Sequence, residues 1–368
     1  MEDAQEKGLF ESALQNFLSP ILSYLHDPEV SEILINGPHE VFCEKNGKLF
    51  RVEAQFHDED ALQAAVVNIA QSVGRRISEK EPQLDARLPD GSRIHAVFPP
   101  CSRGGTVVSI RKFLKSNMTL KDYLQKGSIS KDGALFLDAC MHLGKNILVS
   151  GGTGSGKTTL LSVLCQRIPK GQRLIVIEDA SELTIDYEHV VRFETRMGNH
   201  EGDGAVDMRD LLKSSLRLRP DRIILGEVRG AEAMELISAM NTGHKGCMGT
   251  IHANSPYDAI LRLEALAMSS DGKISEKAVQ QQIASAVHLV VQIDRQPDGS
   301  RRIAAISEVI GCDKGQYELA EIFHLNNMTS SVDAPYGELK ATGTLPTFME
   351  EMEIRQIPFP RSKFSQAA

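Results

Sequence analysis

Between residues 10 and 25 the apolar side chains Phe10, Leu14, Phe17, Leu18, Ile21 and Leu25 recur at three- and four-residue steps. That spacing predicts a helical segment over 1–30, closed by Pro28 and kinked or split at Pro20. The period then drops toward two. A strand run at 32–36 ends on Gly37-Pro38, and runs at 41–44 and 48–52 flank Asn46-Gly47, the dipeptide favoured in a type I′ hairpin. Helical spacing returns at 59–75 through Leu62, Ala65, Val66, Ile69 and Ala70, and alternating runs follow at 86–88, 93–98 and 107–111. Residues 31–112 therefore predict an α+β domain of mostly antiparallel strands. Residues 113–131 are polar and rich in Lys, Ser and Thr, and read as a linker. Over 132–357 the pattern changes again. Apolar runs at 146–150, 174–177, 190–193, 222–225, 249–251 and 289–293 alternate with helical stretches, which predicts a largely parallel sheet wrapped by helices. Pro358, Pro360, Ser362 and Ser365 mark 358–368 as a flexible tail that frays.

Composition narrows the class. With 368 residues, 41% hydrophobic and 24% charged, the chain has ordinary globular make-up and length for two domains. The net charge of −8 gives no support to a general nucleic-acid binder. Six isolated cysteines, none in C-x-x-C spacing, exclude a zinc ribbon or thioredoxin-type site and suit a reducing cytosol. No apolar run approaches the ~20 residues that span a bilayer, and the acidic start Met1-Glu2-Asp3 lacks the basic region of a signal peptide. The expectation is a cytoplasmic protein that meets a membrane only through partners.

The chemistry begins at Gly151-Gly152-Thr153-Gly154-Ser155-Gly156-Lys157-Thr158, which fits G-x-x-x-x-G-K-[ST] between a strand run and a helical run continuing through Thr159. Glycines let the backbone approach phosphate and turn its N–H groups inward at a helix N-terminus. Gly152, Thr153, Gly154, Ser155, Gly156, Lys157, Thr158 and Thr159 are thus the nucleotide-binding candidates. Lys157 would reach the β- and γ-phosphates, and the Thr158 hydroxyl would ligate Mg²⁺.

Two strand runs downstream end in carboxylates. The run at 175–177 delivers Glu178-Asp179 to the sheet edge that carries the phosphate loop, so Glu178 is a candidate to hold Mg²⁺ through water. The alternative is an acidic cap on the next helix. The run at 223–225 ends in Gly226-Glu227. Glycine stands where a Walker B aspartate is usual, which leaves Glu227 as candidate general base for the attacking water, against a plain solvated strand end. His252 ends the run at 249–251 and reads as a polar sensor of the γ-phosphate, while His244 is balanced between a functional and a helix-capping role. No third ligand accompanies the two histidines, so zinc is not expected. Seven arginines crowd residues 192–229. Arg192, Arg196 and Arg217 are candidates to reach a neighbouring subunit's phosphates, and Arg93 and Arg111 of the N-terminal strands to contact nucleotide.

Taken in order, GGTGSGKTT, IEDASEL, RPDRIILGEVRGAEA and NTGHKGCMGTIHANS resemble the Walker A, Asp, Walker B and His boxes of the secretion ATPase superfamily, the motors of type II secretion, type IV pili and type IV secretion. LDARLPDGSRIHAVFPP, SIRKF, VVRFETR and ISEVIGCDKGQYELAEIF further resemble the CpaF/TadA-type ATPases of tight-adherence (Flp) pili. The resemblance covers about 30 to 350. It implies an α/β chain with a C-terminal RecA-like P-loop NTPase domain and a smaller N-terminal α+β (PAS-like) domain. The polar linker and the arginine-bearing strands further predict that the two domains clamp nucleotide and that hydrolysis moves a hinge in the linker. The resemblance also implies a homohexamer docked on an inner-membrane platform, hydrolysing ATP with Mg²⁺ to power pilin assembly or export, with Glu227 as the catalytic glutamate, Glu178 in the Asp box, and His244 and His252 in the His box. A four-cysteine zinc motif of several related motors is absent. Rival readings are a conjugation-like type IV secretion ATPase, a nucleic-acid translocating motor, a nucleotide-gated scaffold and a P-loop kinase. The absence of Trp and only 6 Tyr speak against a nucleic-acid channel.

Overall fold

A computed structural model describes residues 17–364, apart from 46, 89, 114–117, 197, 199–203, 271–273 and 327–336. It divides into two compact units, Met1–Lys115 and Ser116–Ala368.

In the first unit a 3-10 turn, Ser19–Ile21, carries Pro20 at its start and leads into the helix Leu22–His26. Proline has no N–H to donate, so it splits the N-terminal helical pattern here; the part before residue 17 lies outside the described residues. Strands β1 (Val30–Asn36), β2 (Val41–Lys45), β3 (Lys48–Val52), β4 (Gln83–Arg87), β5 (Arg93–Val97) and β6 (Val107–Arg111) form one antiparallel sheet, ordered β3-β2-β1-β6-β5-β4. Gly47 takes φ +76 between β2 and β3, which suits the Asn-Gly hairpin reading; Asn46 itself is outside the described residues. Asp58 caps the helix Glu59–Ser72 by accepting from the Ala61 amide, and Leu62, Val66 and Ile69 bury against Ile33, Ile35, Ile94 and Ile110.

The second unit is built on a nine-stranded sheet. Its strands are β7 (Ile147–Gly151), β8 (Leu174–Glu178), β9 (Val190–Glu194), β10 (Arg222–Leu225), β11 (Met248–His252), β12 (Leu289–Arg295), β13 (Arg301–Asp313), β14 (Gln316–Asn326) and β15 (Glu338–Ala341), in the order β15-β14-β13-β12-β7-β11-β10-β8-β9. From β12 to β9 all neighbours are parallel. Apart from the edge strand β9, their apolar runs are buried on both faces. Ile147, Val149, Leu174 and Val176 join one core with Phe136, Leu160 and Leu164, while Leu148, Ile175 and Ile177 join another with Leu236, Ile237 and Leu263. The sheet is less uniformly parallel than its runs suggest, because β13, β14 and β15 extend it as an antiparallel meander. Register shifts in β13 interrupt the alternation that marks a strand in sequence.

Two boundaries need correction. The stretch 113–131 is not a linker throughout. The helix Leu120–Gln125 opens with a Thr119–Asp122 capping box, and Tyr123 and Ile129 are buried in the second unit's core. Nor does 358–364 fray. Phe359 and Phe364 surround Phe136, at 5.9 and 5.7 Å between ring centroids, together with Phe323 and Phe348. Aromatic packing outweighs the prolines there.

The base of β10 shows why one glycine is required. Arg222 is buried (3% exposed), donating through Nε to Gln172 Oε1 (2.7 Å) and through Nη2 to the Met141 carbonyl (2.9 Å). Its guanidinium fills the space beside Gly246, where φ is +68 and an added Cβ would overlap Nη1. Gly246→Ala is expected to cost about 2–4 kcal/mol, through backbone strain plus displacement of a buried charge. Thermal unfolding reads this directly, and an unchanged midpoint would contradict it.

Candidate active site

The C-terminal ends of β7, β11, β10 and β8 lie side by side, so sheet order dictates site order. The phosphate loop leaves β7, and Gly156 at φ +95 starts the helix Lys157–Cys165. His252 ends β11 in register with Gly151, Glu227 follows β10, and Glu178 ends β8. The structure joins three of the candidates in one chain of contacts. Lys157 Nζ donates to the Gly152 carbonyl (2.9 Å) and lies 3.3 Å from His252 Nδ1; His252 Nε2 lies 3.0 Å from Glu227 Oε1. A carboxylate oxygen can only accept, so Nε2 carries the proton given to Glu227, while Lys157 Nζ stands against both ring nitrogens, 3.5 Å from Nε2 as well. The neighbouring ammonium disfavours a second positive charge on the ring. Burial first, then the charge of Lys157, pushes its pKa below the ordinary 6.5.

The chain continues through a residue that was visible in sequence only as one of the crowded arginines. Arg229 Nη2 donates to Glu227 Oε2 at 2.5 Å, and Nη1 lies 3.5 Å from Asp179 Oδ2. Burial works to raise the Glu227 pKa, but the Arg229 hydrogen bond and charge, with His252 and Lys157, outweigh it and leave the carboxyl below its usual range. The loop bearing both residues is pinned. Gly226 N donates to the Ile177 carbonyl, Thr250 Oγ1 to the Gly226 carbonyl, and the Arg229 and Gly230 amides to Glu232 Oε1.

Glu178 behaves oppositely. It is 3% exposed, and burial, only partly offset by the amides of Glu182 and Leu183 on Oε1 (both 2.8 Å), raises its pKa. Two strand-end carboxylates with opposite shifts suit different roles. A Cβ on Gly226 would stand 2.9 Å from Glu178 Cγ, so the carboxylate from the neighbouring strand fills the space a Walker B side chain would need. The Thr158 hydroxyl and the carboxylates at these strand ends are hard oxygen donors of the kind Mg²⁺ prefers. Among the described residues no group of three or more His, Cys, Asp or Glu side chains could hold a metal ion by itself.

Of the remaining candidates only Arg192 meets a site residue, its Nη1 3.9 Å from Glu178 Oε2. His244 sits on the Ala239 carbonyl at the end of the helix Glu232–Asn241 (Nδ1 at 3.3 Å), the capping geometry. Arg192 donates to the carbonyls of Leu183 and Ile185, Arg196 bridges to Val206, and Arg217 follows the helix Met208–Ser215. Arg93 and Arg111 face each other across β5 and β6, in a cross-strand row that runs Arg87, Arg93, Arg111, Glu32, Glu44. Glu32 stands directly opposite Arg111 on β1 and supplies the opposite charge in that row. A cleft of about 390 Å³ opens beside the loop, lined by Gly152, Thr153, His252, Asn254, Asp258 and Arg262. The last two were missed, although their i,i+4 spacing just after His252 puts both on one helix face.

A phosphate loop on a parallel strand, with a catalytic-type carboxylate and a histidine on the adjoining strand ends, defines a P-loop NTPase with a RecA-like core. The chain belongs to the type II/IV secretion system protein family, whose model matches residues 15–340. It is 34% identical over 328 residues to a putative conjugal transfer protein of Mycobacterium tuberculosis, covering 88% of this chain and 92% of that one. It is 37% identical over 276 residues to the type IV secretion system protein VirB11 of Brucella suis, covering 68% and 76%. The fold matches the Legionella pneumophila ATPase DotB with a TM-score of 0.57 at 17% identity, over 81% of this chain and 82% of that chain. Membership of this family implies ATP hydrolysis. No helix among the described residues is long and apolar enough to cross a membrane.

Proposed function

We propose that the chain is the homohexameric ATPase motor of a tight-adherence (Flp) pilus or closely related secretion machine, cytoplasmic and held at the inner membrane by platform proteins. The contact chain from Lys157 through His252 to Glu227 supports the hydrolysis in this reading, because it connects the group that would hold the γ-phosphate to the group that would activate water; the pilus assignment rests on the sequence resemblance. Glu227, ionised and oriented by Arg229 and His252, accepts the proton of the attacking water, while Lys157 and the loop amides hold the phosphate oxygens. Mg²⁺, when bound, offsets charge on the β- and γ-oxygens. Arg93 and Arg111 are assigned to nucleotide contact. The conjugation-like type IV secretion ATPase stays as the second reading, supported by the names of the two relatives above.

The test is ATP turnover per subunit against protein concentration, with mass measured in parallel. The motor reading expects turnover to rise as hexamers form. Equal turnover in a monomer would remove the ring and its trans arginines from the mechanism.

A further inference from the structure

The phosphate loop is backed by an element outside every nucleotide-binding motif recognised in the sequence. β12 and β13 form a hairpin whose tip is closed by Gln296 N donating to the Ser300 carbonyl and Gly299 N to the Gln296 carbonyl, both at 2.8 Å. Asp298 Oδ1 accepts from the Ser300 amide (2.9 Å) and hydroxyl (2.7 Å), and Gly299 takes φ +84. This tight tip, with Arg295 opposite Arg301, places Arg301 against the loop. Arg301 Nε donates to the Gly154 carbonyl at 3.0 Å. Its Cδ lies 2.9 Å from where a Cβ on Gly156 would stand, and the Ile293 carbonyl would collide with a Cβ on Gly151. The hairpin thus touches the loop at its first glycine, its middle peptide and its last glycine.

We propose that Arg301 is a positioning residue of the nucleotide site, fixing the 154–155 peptide so that the Ser155 amide faces the bound β-phosphate. In a planar trans peptide the C=O and N–H point in opposite directions. A donor that holds the Gly154 carbonyl outward therefore aims the Ser155 N–H into the loop, where it already points at the Gly152 carbonyl, 3.4 Å away. Without that donor, glycine at 154 (φ +70) leaves the peptide free to turn its carbonyl toward the phosphate, replacing an attraction with a repulsion. Arg301 is exposed, so its replacement removes little packing.

This inference rests on the ATPase reading, and the experiment separates the two. A fluorescent ADP analogue is titrated into wild type, Arg301→Ala, Arg301→Lys and Lys157→Ala, and each protein is melted without nucleotide. Arg301→Ala should bind the analogue about tenfold more weakly, the scale of one charge-assisted hydrogen bond. Arg301→Lys should recover part of the loss, and the melting midpoint of Arg301→Ala should stay at the wild-type value. In steady state the ATP KM should rise with kcat little changed, because ground state and transition state lose the same contact. Binding by Arg301→Ala within about twofold of wild type, well inside one such bond, overturns the inference, as does a lowered midpoint, which makes Arg301 a general brace of the fold. If wild type fails to bind the analogue, or Lys157→Ala binds equally well, the nucleotide site itself is misassigned.

Discussion

Glu227→Gln is expected to lower ATP turnover per subunit by about two to four orders of magnitude, the usual worth of a positioned general base, with nucleotide binding nearly unchanged. The amide keeps the shape and can still accept from His252 Nε2, 3.0 Å away in the native site, but it cannot take a proton from water. The pH profile gives a second check. The Glu227 carboxyl is held below its ordinary 4.5 and His252 below 6.5, so both keep their working forms as pH falls from neutral. The acid limb of the wild-type rate should therefore lie below pH 6.5. Turnover surviving in Glu227→Gln would move the base elsewhere, to Glu178 or Asp179.

Lys157→Ala is expected to lower turnover by at least about two to three orders of magnitude and to weaken ADP and ATP binding together. Lys157 is 7% exposed and is the cation placed by the loop itself. Its loss should be felt in the ground state as well as during hydrolysis, which distinguishes it from the Glu227 variant. Equilibrium binding of ADP beside steady-state turnover separates the two signatures. A Lys157→Ala protein that binds ADP normally would leave the phosphate loop without its assigned role.

What the sequence makes legible follows from how locally each feature is built. The phosphate loop is contiguous, and its strand, glycines, lysine and helix announce one another. Glu178, Glu227 and His252 could be placed at one sheet edge because parallel strands end together. Their partners are another matter. Arg229 stood among seven similar residues, and its pairing depends on a loop fixed by Glu232 and Thr250. Arg301 lies 147 residues from the carbonyl it holds, a separation that no local pattern spans. Polarity misled at 113–131, where Tyr123 and Ile129 are buried among lysines and serines. Prolines misled at the C-terminal end, where Phe359 and Phe364 have no helical or strand period to reveal that they pack. The raised Glu178 pKa has no sequence signal at all, since it comes from burial.

The bond from Lys157 Nζ to the Gly152 carbonyl bears on the speed of the catalytic cycle. A buried ammonium stripped of its partner would cost several kcal/mol. Here, whenever a phosphate departs, the ammonium has a carbonyl 2.9 Å away to receive it, so that cost does not stand in the path of product leaving. The Gly152 carbonyl is a resting berth for the lysine, an acceptor supplied by the loop itself. An ATPase that must discharge ADP on every turnover gains a smaller barrier to discharge, in return for a modest loss of grip on ATP.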